Sequence, residues 1–416
     1  MSRRAVVLID GEHYAPVVRD ALAAMPYEVV GALLVGGTEK LLGAPAGAAG
    51  AGNHRRAAAA SPPALPANDY GVPLVDSLEA VEADLVVDLS DEPVLGPRER
   101  MLWASRALAL GVPYVGSDFR FEPPPLAPVG VPSLAVIGLG KRVGKTAVAG
   151  HVARVFARER RVVVVAMGRG GPAEPELVET PPTLDELVTL SRSGRHAASD
   201  HLEAAALAGV PAVGCRRAGG GLAGTPFASN VLEGARLAAE LEPELLVFDG
   251  SGAALPPVAV DARILVTNGG HDARAGLNAY RVLVSDVVVD TGGADREAIR
   301  SISDVPVLAA ELRLRPTQPL AGRRTAVFTT GPAPTDDLDA EVVHVSRNLA
   351  RREALREELG RIEAEVYLVE LKAAAVDVVA EAALARGAEV VLAAVDVVSD
   401  ELDERALGLV GERSLR

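Results

Sequence analysis

The stretch that most constrains the fold of this chain reads "SLAVIGLGKRVGKTAVAGHVARVF", residues 133–156. An apolar run, 134–137, ends at Gly138, and the residues after Thr146 carry a helical pattern. A buried strand that passes through a glycine-rich loop into a helix is half of a βαβ crossover, which parallel strands require. The pattern recurs downstream. "RVVVVAMG", "ELLVFDGSG", "ARILVTNGG", "DVVVDTG" and "VPVLAAEL" read as strands, and helices are expected around 145–158, 184–192, 198–208 and 229–241. Near-continuous Val-rich strands belong to parallel sheets covered on both faces, so the fold class expected is α/β, with a doubly wound core around a phosphate-binding loop.

At 416 residues the chain is too long for one core. Residues 1–125 are expected to form a smaller N-terminal α/β domain that binds substrate, closed by the linker "FEPPPLAPVGVP". Within it, 43–68 is rich in Ala, Gly and Pro, cannot bury a core, and is expected to be a mobile insertion. Residues 126–320 hold the phosphate loop, and 321–416 repeat a strand–helix alternation as a C-terminal α/β domain. The formal charge of −14 argues against general affinity for nucleic acid, so any anion site must gather its cations locally. A single cysteine, Cys215, excludes an intramolecular disulfide framework. The apolar run Ala5–Ile9 is too short for a signal peptide or a membrane span, so a soluble cytoplasmic protein is expected.

The loop "GLGKRVGKT" reads G-x5-G-K-T, one residue longer than the common phosphate loop, G-x4-G-K-[ST]. Leu139 stands where the leading glycine is usual, with Gly138 and Gly140 on either side. Backbone N–H groups and a helix N-terminus cradle phosphates at such a loop. Lys145 is expected to reach the β- and γ-phosphates of ATP, and Thr146 to ligate Mg²⁺. The spacing resembles the loop of dethiobiotin-synthetase-like ATPases, G-T-x-T-x-V-G-K-T, matched at Gly138, Val143, Gly144, Lys145 and Thr146. Gly138, Gly140, Val143, Gly144, Lys145, Thr146 and Ala147 are therefore expected to line the nucleotide, in a P-loop NTPase core flanked by smaller α/β units. That superclass carries an acid at the strand ending "LLVFDGSG", which makes Asp249 the second candidate metal ligand, one methylene shorter than the glutamate usual there.

Two glycine-rich basic segments follow, "MGRGGPAEPE" with Arg169 and "GCRRAGGGLAGTPFASN" with Arg216 and Arg217. Guanidinium forks beside exposed backbone N–H groups suit a polyphosphate. Ser199, Asp200 and His201 resemble a helix start, and Asp200 is also a candidate metal ligand or base. Of four lysines against thirty-eight arginines, two, Lys141 and Lys145, lie in the loop. At the N-terminus, Asp10, Glu12 and His13 follow the first strand, where open α/β sheets bind ligands. The Gly36–Lys40 turn, Arg19 and Arg120 are further candidate anion contacts, Lys372 follows a C-terminal strand, and Asn268 is a candidate adenine contact.

"IDGEHYAPV", "GLGKRVGKTAV", "MGRGGPAEPE", "GRHAASDHLE", "GCRRAGGGLAGTPFASNV", "DGSGAALPPV" and "ELKAAAVDVV" together resemble the cyclic 2,3-diphosphoglycerate synthetase family over nearly the whole chain outside 43–68. The resemblance implies a cytoplasmic ligase that uses ATP and Mg²⁺ to close 2,3-diphosphoglycerate into its cyclic anhydride, as a homodimer that binds neither nucleic acid nor membrane. It also implies that Lys141, Arg142, Lys145, Arg169, Arg216, Arg217 and Asp249 serve catalysis, with Thr146, Asp249 and Asp200 at the metal. Other readings of the same loop are a 2-phosphoglycerate kinase, a carboxylate-activating ligase and a dimeric ATPase switch.

Overall fold

A computed structural model of the chain describes residues 2–36, 70–193, 200–330, 334–371 and 375–411. It divides into two compact units, Met1–Pro124 with Arg274–Leu283, and Pro125–Ala273 with Val284–Arg416. The expected insertion 43–68, residues 37–40 of the anion-cradle turn, Ser199 and Lys372 lie outside the described residues.

The first unit opens with β1 (Arg4–Ile9), α1 (Ala15–Ala23) and β2 (Glu28–Leu34). It continues with β3 (Leu85–Asp88), α2 (Pro97–Ala109), β4 (Tyr114–Val115) and β5 (Arg120–Phe121). The sheet order is β2-β1-β3-β4-β5, parallel except for β5. Val7, Ile9, Val18, Leu22, Leu85 and Val87 form its core. The helix α1 starts at Ala15 with Pro16 in its first turn, where the missing N–H of proline costs nothing. The sheet grows from β1 to β2 on one side and then to β3 on the other. That reversal leaves a crevice outside the carboxyl ends of β1 and β3, the place where open α/β sheets bind ligands.

The second unit runs through β6 (Ala127–Pro128), β7 (Ser133–Gly138), α3 (Lys145–Ala157), β8 (Val162–Gly168), β9 (Glu176–Val178), α4 (Leu184–Arg192) and α5 (Asp200–Ala208). Then come β10 (Ala212–Ala218), β11 (Ala228–Ser229), α6 (Val231–Ala239), β12 (Leu245–Asp249), β13 (Val258–Ala259) and β14 (Ala262–Thr267). The chain next contributes α7 (Asn278–Leu283) to the first unit, where it packs on α2. It returns as β15 (Val287–Asp290), α8 (Arg296–Ile302) and β16 (Val307–Ala309). The main sheet has the order β11-β10-β8-β12-β7-β14-β15-β16, with β9 also paired to β10. Its strands from β10 to β16 along that path are parallel, as the Val-rich runs imply.

The remaining elements are β17 (Glu311–Pro316), β18 (Arg324–Phe328), β19 (Glu341–Ser346), α9 (Arg352–Leu359), β20 (Val366–Glu370), α10 (Val376–Leu384), β21 (Glu389–Val398) and α11 (Leu402–Gly411). They build a second sheet of order β17-β21-β20-β18-β19, in which β17 is antiparallel to β21. The run "VPVLAAEL", read in sequence as one strand, is divided at Ala310: 307–309 pair with β15, and 311–316 pair with β21. No residue there breaks a strand, so only the pairing partners reveal the division. Val397, Leu402, Ala406 and Val410 join the same apolar cluster as α3 and the main sheet, so the end of β21 and α11 share a core with the phosphate-loop sheet, while Phe328, Leu355, Tyr367, Val369 and Val379 of β18, α9, β20 and α10 pack in a separate cluster.

Candidate functional site

The site in the second unit is built at the carboxyl end of the main sheet, around the loop between β7 and α3. Leu134, Val136 and Ile137 are buried, and their strand lies between β12 and β14. The loop then turns through Gly144, which caps α3 with φ +85°, a left-handed conformation that glycine adopts without Cβ strain. Val143 is 1% exposed and packs with Val148, Val152 and Phe156 of α3, which anchors the loop to the core. A Cβ at Gly138 would lie 3.1 Å from Lys145 Cδ, so the lysine side chain folds back over the start of its own loop. Lys145 Nζ stands 3.9 Å from Asp249 Oδ1, and both side chains are largely buried. Asp249 is registered against Val136 of β7, so the acid and the loop lie on adjacent strand ends.

A cluster of cations faces the next turn. A Cβ at Gly252 would lie 3.0 Å from Arg169 Nη2, 3.6 Å from Arg217 Nη2 and 3.8 Å from Lys141 Cγ. Arg217 donates to Ser251 O at 2.9 Å and to Gly219 O at 2.6 Å. Burial, and then the neighbouring Arg169 charge, hold the Arg217 pKa below its ordinary value. Lys141 and Arg169, from two loops, thus come together with Arg217, from the end of β10. Arg216 does not join them: side chains alternate along β10, and Arg216 is exposed while its own N–H donates to Asn230 Oδ1. Asp200 sits beside the end of β8, its Oδ2 3.2 Å from where a Gly168 Cβ would stand. Arg142 occupies φ +59° in the loop with its side chain exposed. Gly252 and Ser251 were not picked out as site residues in the sequence; the signal available was that "DGSG" ends a buried strand next to the loop strand.

Three further side chains reach the loop from the ends of β14 and β15. His271 Nε2 lies 3.1 Å from Lys141 O, Asn268 Nδ2 donates to Arg142 O at 3.1 Å, and Thr291 Oγ1 donates to Val143 O at 2.9 Å. Asn268, the candidate adenine contact, holds the loop with its amide N–H, and its Oδ1 accepts from Gly270 N.

In the first unit, His13 and Asp10 follow β1 at the topological switch point. His13 Nδ1 lies 2.6 Å from Asp10 Oδ1, while Glu12 N and Asp91 N donate to the Asp10 oxygens at 3.1 and 2.8 Å. Burial alone would raise the Asp10 pKa, but these hydrogen bonds outweigh it and hold the carboxyl below its ordinary value. A buried anion on Nδ1 turns His13 Nε2 outward, 3.8 Å from Asp91 Oδ2. Asp10, His13 and Asp91 could together hold a metal ion. Arg120 is paired with Glu122.

A lysine and a backbone cradle at a helix N-terminus, with a buried acid on the adjoining strand, define a P-loop nucleotide-binding protein of the α/β class. Family models described as cyclic 2,3-diphosphoglycerate synthetase match the chain in three parts: the N-terminal domain over residues 4–122, the P-loop domain over 133–305 and the C-terminal domain over 316–396. The chain belongs to the cyclic 2,3-diphosphoglycerate synthetase family. The cyclic 2,3-diphosphoglycerate synthetase of Rubrobacter xylanophilus is 46% identical over 98% of this chain and 97% of its own length. That of Thermococcus kodakarensis is 40% identical over 93% of each. That of Pyrococcus horikoshii is 37% identical over 97% of this chain and 94% of the relative. Among solved structures, a DUF1611 family protein from Anabaena variabilis aligns with 74% of this chain and 86% of its own at 13% identity and a TM-score of 0.18, too weak to bear on the fold.

Proposed function

We propose that the protein uses ATP to close 2,3-diphosphoglycerate into its cyclic phosphoanhydride, releasing ADP and inorganic phosphate. The observation that carries this reading is the convergence of Lys141, Arg169 and Arg217 on the Gly252 turn, beside the nucleotide lysine Lys145. A kinase acting on one alcohol needs cations for one transferred phosphoryl group. Bringing two phosphates of one substrate into bonding distance needs additional positive charge on the acceptor side, and this site supplies it. The name shared by relatives matching more than nine-tenths of the chain supports the same reading.

The chemistry balances in two displacements. An oxygen of one substrate phosphate attacks the γ-phosphorus of ATP; a P–O bond forms, and the β–γ bridge breaks with its electron pair leaving on ADP. An oxygen of the other substrate phosphate then attacks the inner phosphorus of the new diphosphate, closing the ring and expelling inorganic phosphate. In such transfers catalysis is mostly positioning and charge neutralisation. Lys145 lies over the loop, where it reaches the β- and γ-phosphates. Lys141, Arg169 and Arg217 hold the acceptor phosphates, with Arg142 at the loop rim. The oxygens of Thr146, Asp249 and Asp200 are the hard donors that suit Mg²⁺, which would screen the phosphate charge. In the first unit, the crevice at the ends of β1 and β3 is the substrate-binding surface of that domain, with His13 Nε2 facing it.

Incubating the protein with ATP, Mg²⁺ and 2,3-diphosphoglycerate and following ³¹P NMR tests the reading. A cyclic pyrophosphate signal growing in step with ADP and phosphate is expected, and Lys145→Ala should lower its rate about 100-fold or more. Product from 2-phosphoglycerate alone would make the enzyme a kinase, and ATP hydrolysis indifferent to either acid would make it an ATPase switch.

A further inference from the structure

We propose that Asn268, His271 and Thr291 are positioning residues that set the phosphate loop in its anion-binding conformation before nucleotide arrives, without touching the nucleotide themselves. Three consecutive loop carbonyls, those of Lys141, Arg142 and Val143, each meet one of these side chains, at 3.1, 3.1 and 2.9 Å. All three side chains come from the carboxyl ends of β14 and β15, on one side of β7 in the sheet. In a trans peptide the C=O of one residue and the N–H of the next point in opposite directions. Tying the carbonyls of 141–143 toward β14 and β15 therefore turns the N–H groups of Arg142, Val143 and Gly144 the other way. Those N–H groups form the concave nest that receives a phosphate.

Two observations show that the loop needs this restraint. Arg142 sits at φ +59°, a region that a residue with a Cβ enters at a cost. Its own carbonyl is the one that Asn268 holds. Gly140 lies beneath the His271 ring, whose Cε1 would be 2.1 Å from a Cβ at that position. Any side chain at 140 must expel the imidazole, so Gly140 and His271 form one device. The ring fills the place that a side chain at 140 would take, and its Nε2–H reaches Lys141 O because of that close approach. Thr291 Oγ1 also lies 3.2 Å from Thr267 O, which fixes the hydroxyl between the strand end and the loop.

The inference rests on the loop binding nucleotide, not on the identity of the acid that is phosphorylated, so the two can fail separately. The test measures ADP affinity by calorimetry, together with the KM values for ATP and for 2,3-diphosphoglycerate, in Thr291→Val, Thr291→Ser, His271→Ala and Gly140→Ala. Losing one such hydrogen bond is expected to weaken ADP binding and raise the ATP KM about 3- to 10-fold. The KM for the acid should stay within about twofold in Thr291→Val, whose contact is to Val143 and not to Lys141, and Thr291→Ser should keep the native values, since it keeps the donor while Thr291→Val keeps only the shape. Gly140→Ala should match His271→Ala, and the double variant should be no worse than either single one, because both remove the same contact. Thermal melts of each variant separate loss of fold from loss of loop geometry. ADP affinity unchanged in folded Thr291→Val and His271→Ala overturns the proposal. So does an equal loss for both substrates in Thr291→Val, or additive losses at Gly140 and His271.

Discussion

Alternation along β10 gives Arg216 and Arg217 different surroundings, although they are neighbours in sequence. Arg217 is wedged between the Ser251 carbonyl and the Gly219 carbonyl beside Arg169; Arg216 is exposed. Arg217→Ala should therefore raise the KM for 2,3-diphosphoglycerate about 10-fold or more, while Arg216→Ala changes it less than about threefold, with ATP affinity retained in both. Steady-state kinetics with each substrate varied in turn checks this. The "GCRRAGGG" segment alone could not separate the two, because which of a pair faces the site depends on strand register, and register comes from pairing with β8. At Asp10 the prediction concerns pH. Its folded pKa lies below the unfolded value of roughly 3.9, so its contribution to stability is present above that pH and is lost as pH falls through the folded pKa. Urea unfolding between about pH 3 and pH 5 should show stability falling with acidification, with a shallower slope in Asp10→Asn. An equal slope in the variant would place the acid sensitivity elsewhere.

At the level of elements, the strand–loop–helix of β7 and α3 was legible because everything that defines it is local: an apolar run, glycines, a Gly-Lys-Thr and a helical period within two dozen residues. The clamps were not. Asn268, His271 and Thr291 lie more than 120 residues beyond the loop and are ordinary residues for a turn. Only the order of strands brings "TNGGHD" and "DTGG" next to "GLGKRVGKT". The same helix, α3, supplies a stability prediction. Phe156 is 1% exposed and packs with Val148, Val152 and Val162, with the Arg160 guanidinium over its ring. Phe156→Ala should cost about 3–5 kcal/mol, read from the denaturant midpoint at an unchanged slope, because the cavity it leaves lies under the sheet and cannot collapse freely.

For the whole molecule, the net charge of −14 surrounds a site whose working groups are Lys141, Lys145, Arg169 and Arg217. Local cations in an acidic protein concentrate field on the ligand, and salt screens that field over a Debye length that falls from about 10 Å at 0.1 M to about 3 Å at 1 M. Raising the concentration of an inert salt from 0.05 to 0.5 M should therefore increase both substrate KM values several-fold and leave kcat less affected. A KM that does not respond to salt would count against a cation-built acceptor site. Among the described residues no helix is long and apolar enough to cross a membrane.

The excursion of the chain that places α7 on α2 also governs the order in which the protein can be completed. The first unit is spelled by two segments separated by about 150 residues of the second, so a ribosome has synthesised most of the nucleotide domain before it emits Asn278–Leu283. Until then α2 lacks the partner that supplies Ala279, Tyr280 and Val282, all buried in the finished protein. A fragment cut at Pro124 would look like a domain by sequence position and would still carry an open apolar flank. Appending 274–283 to it, through a flexible joint, is what should turn an aggregating fragment into a soluble one.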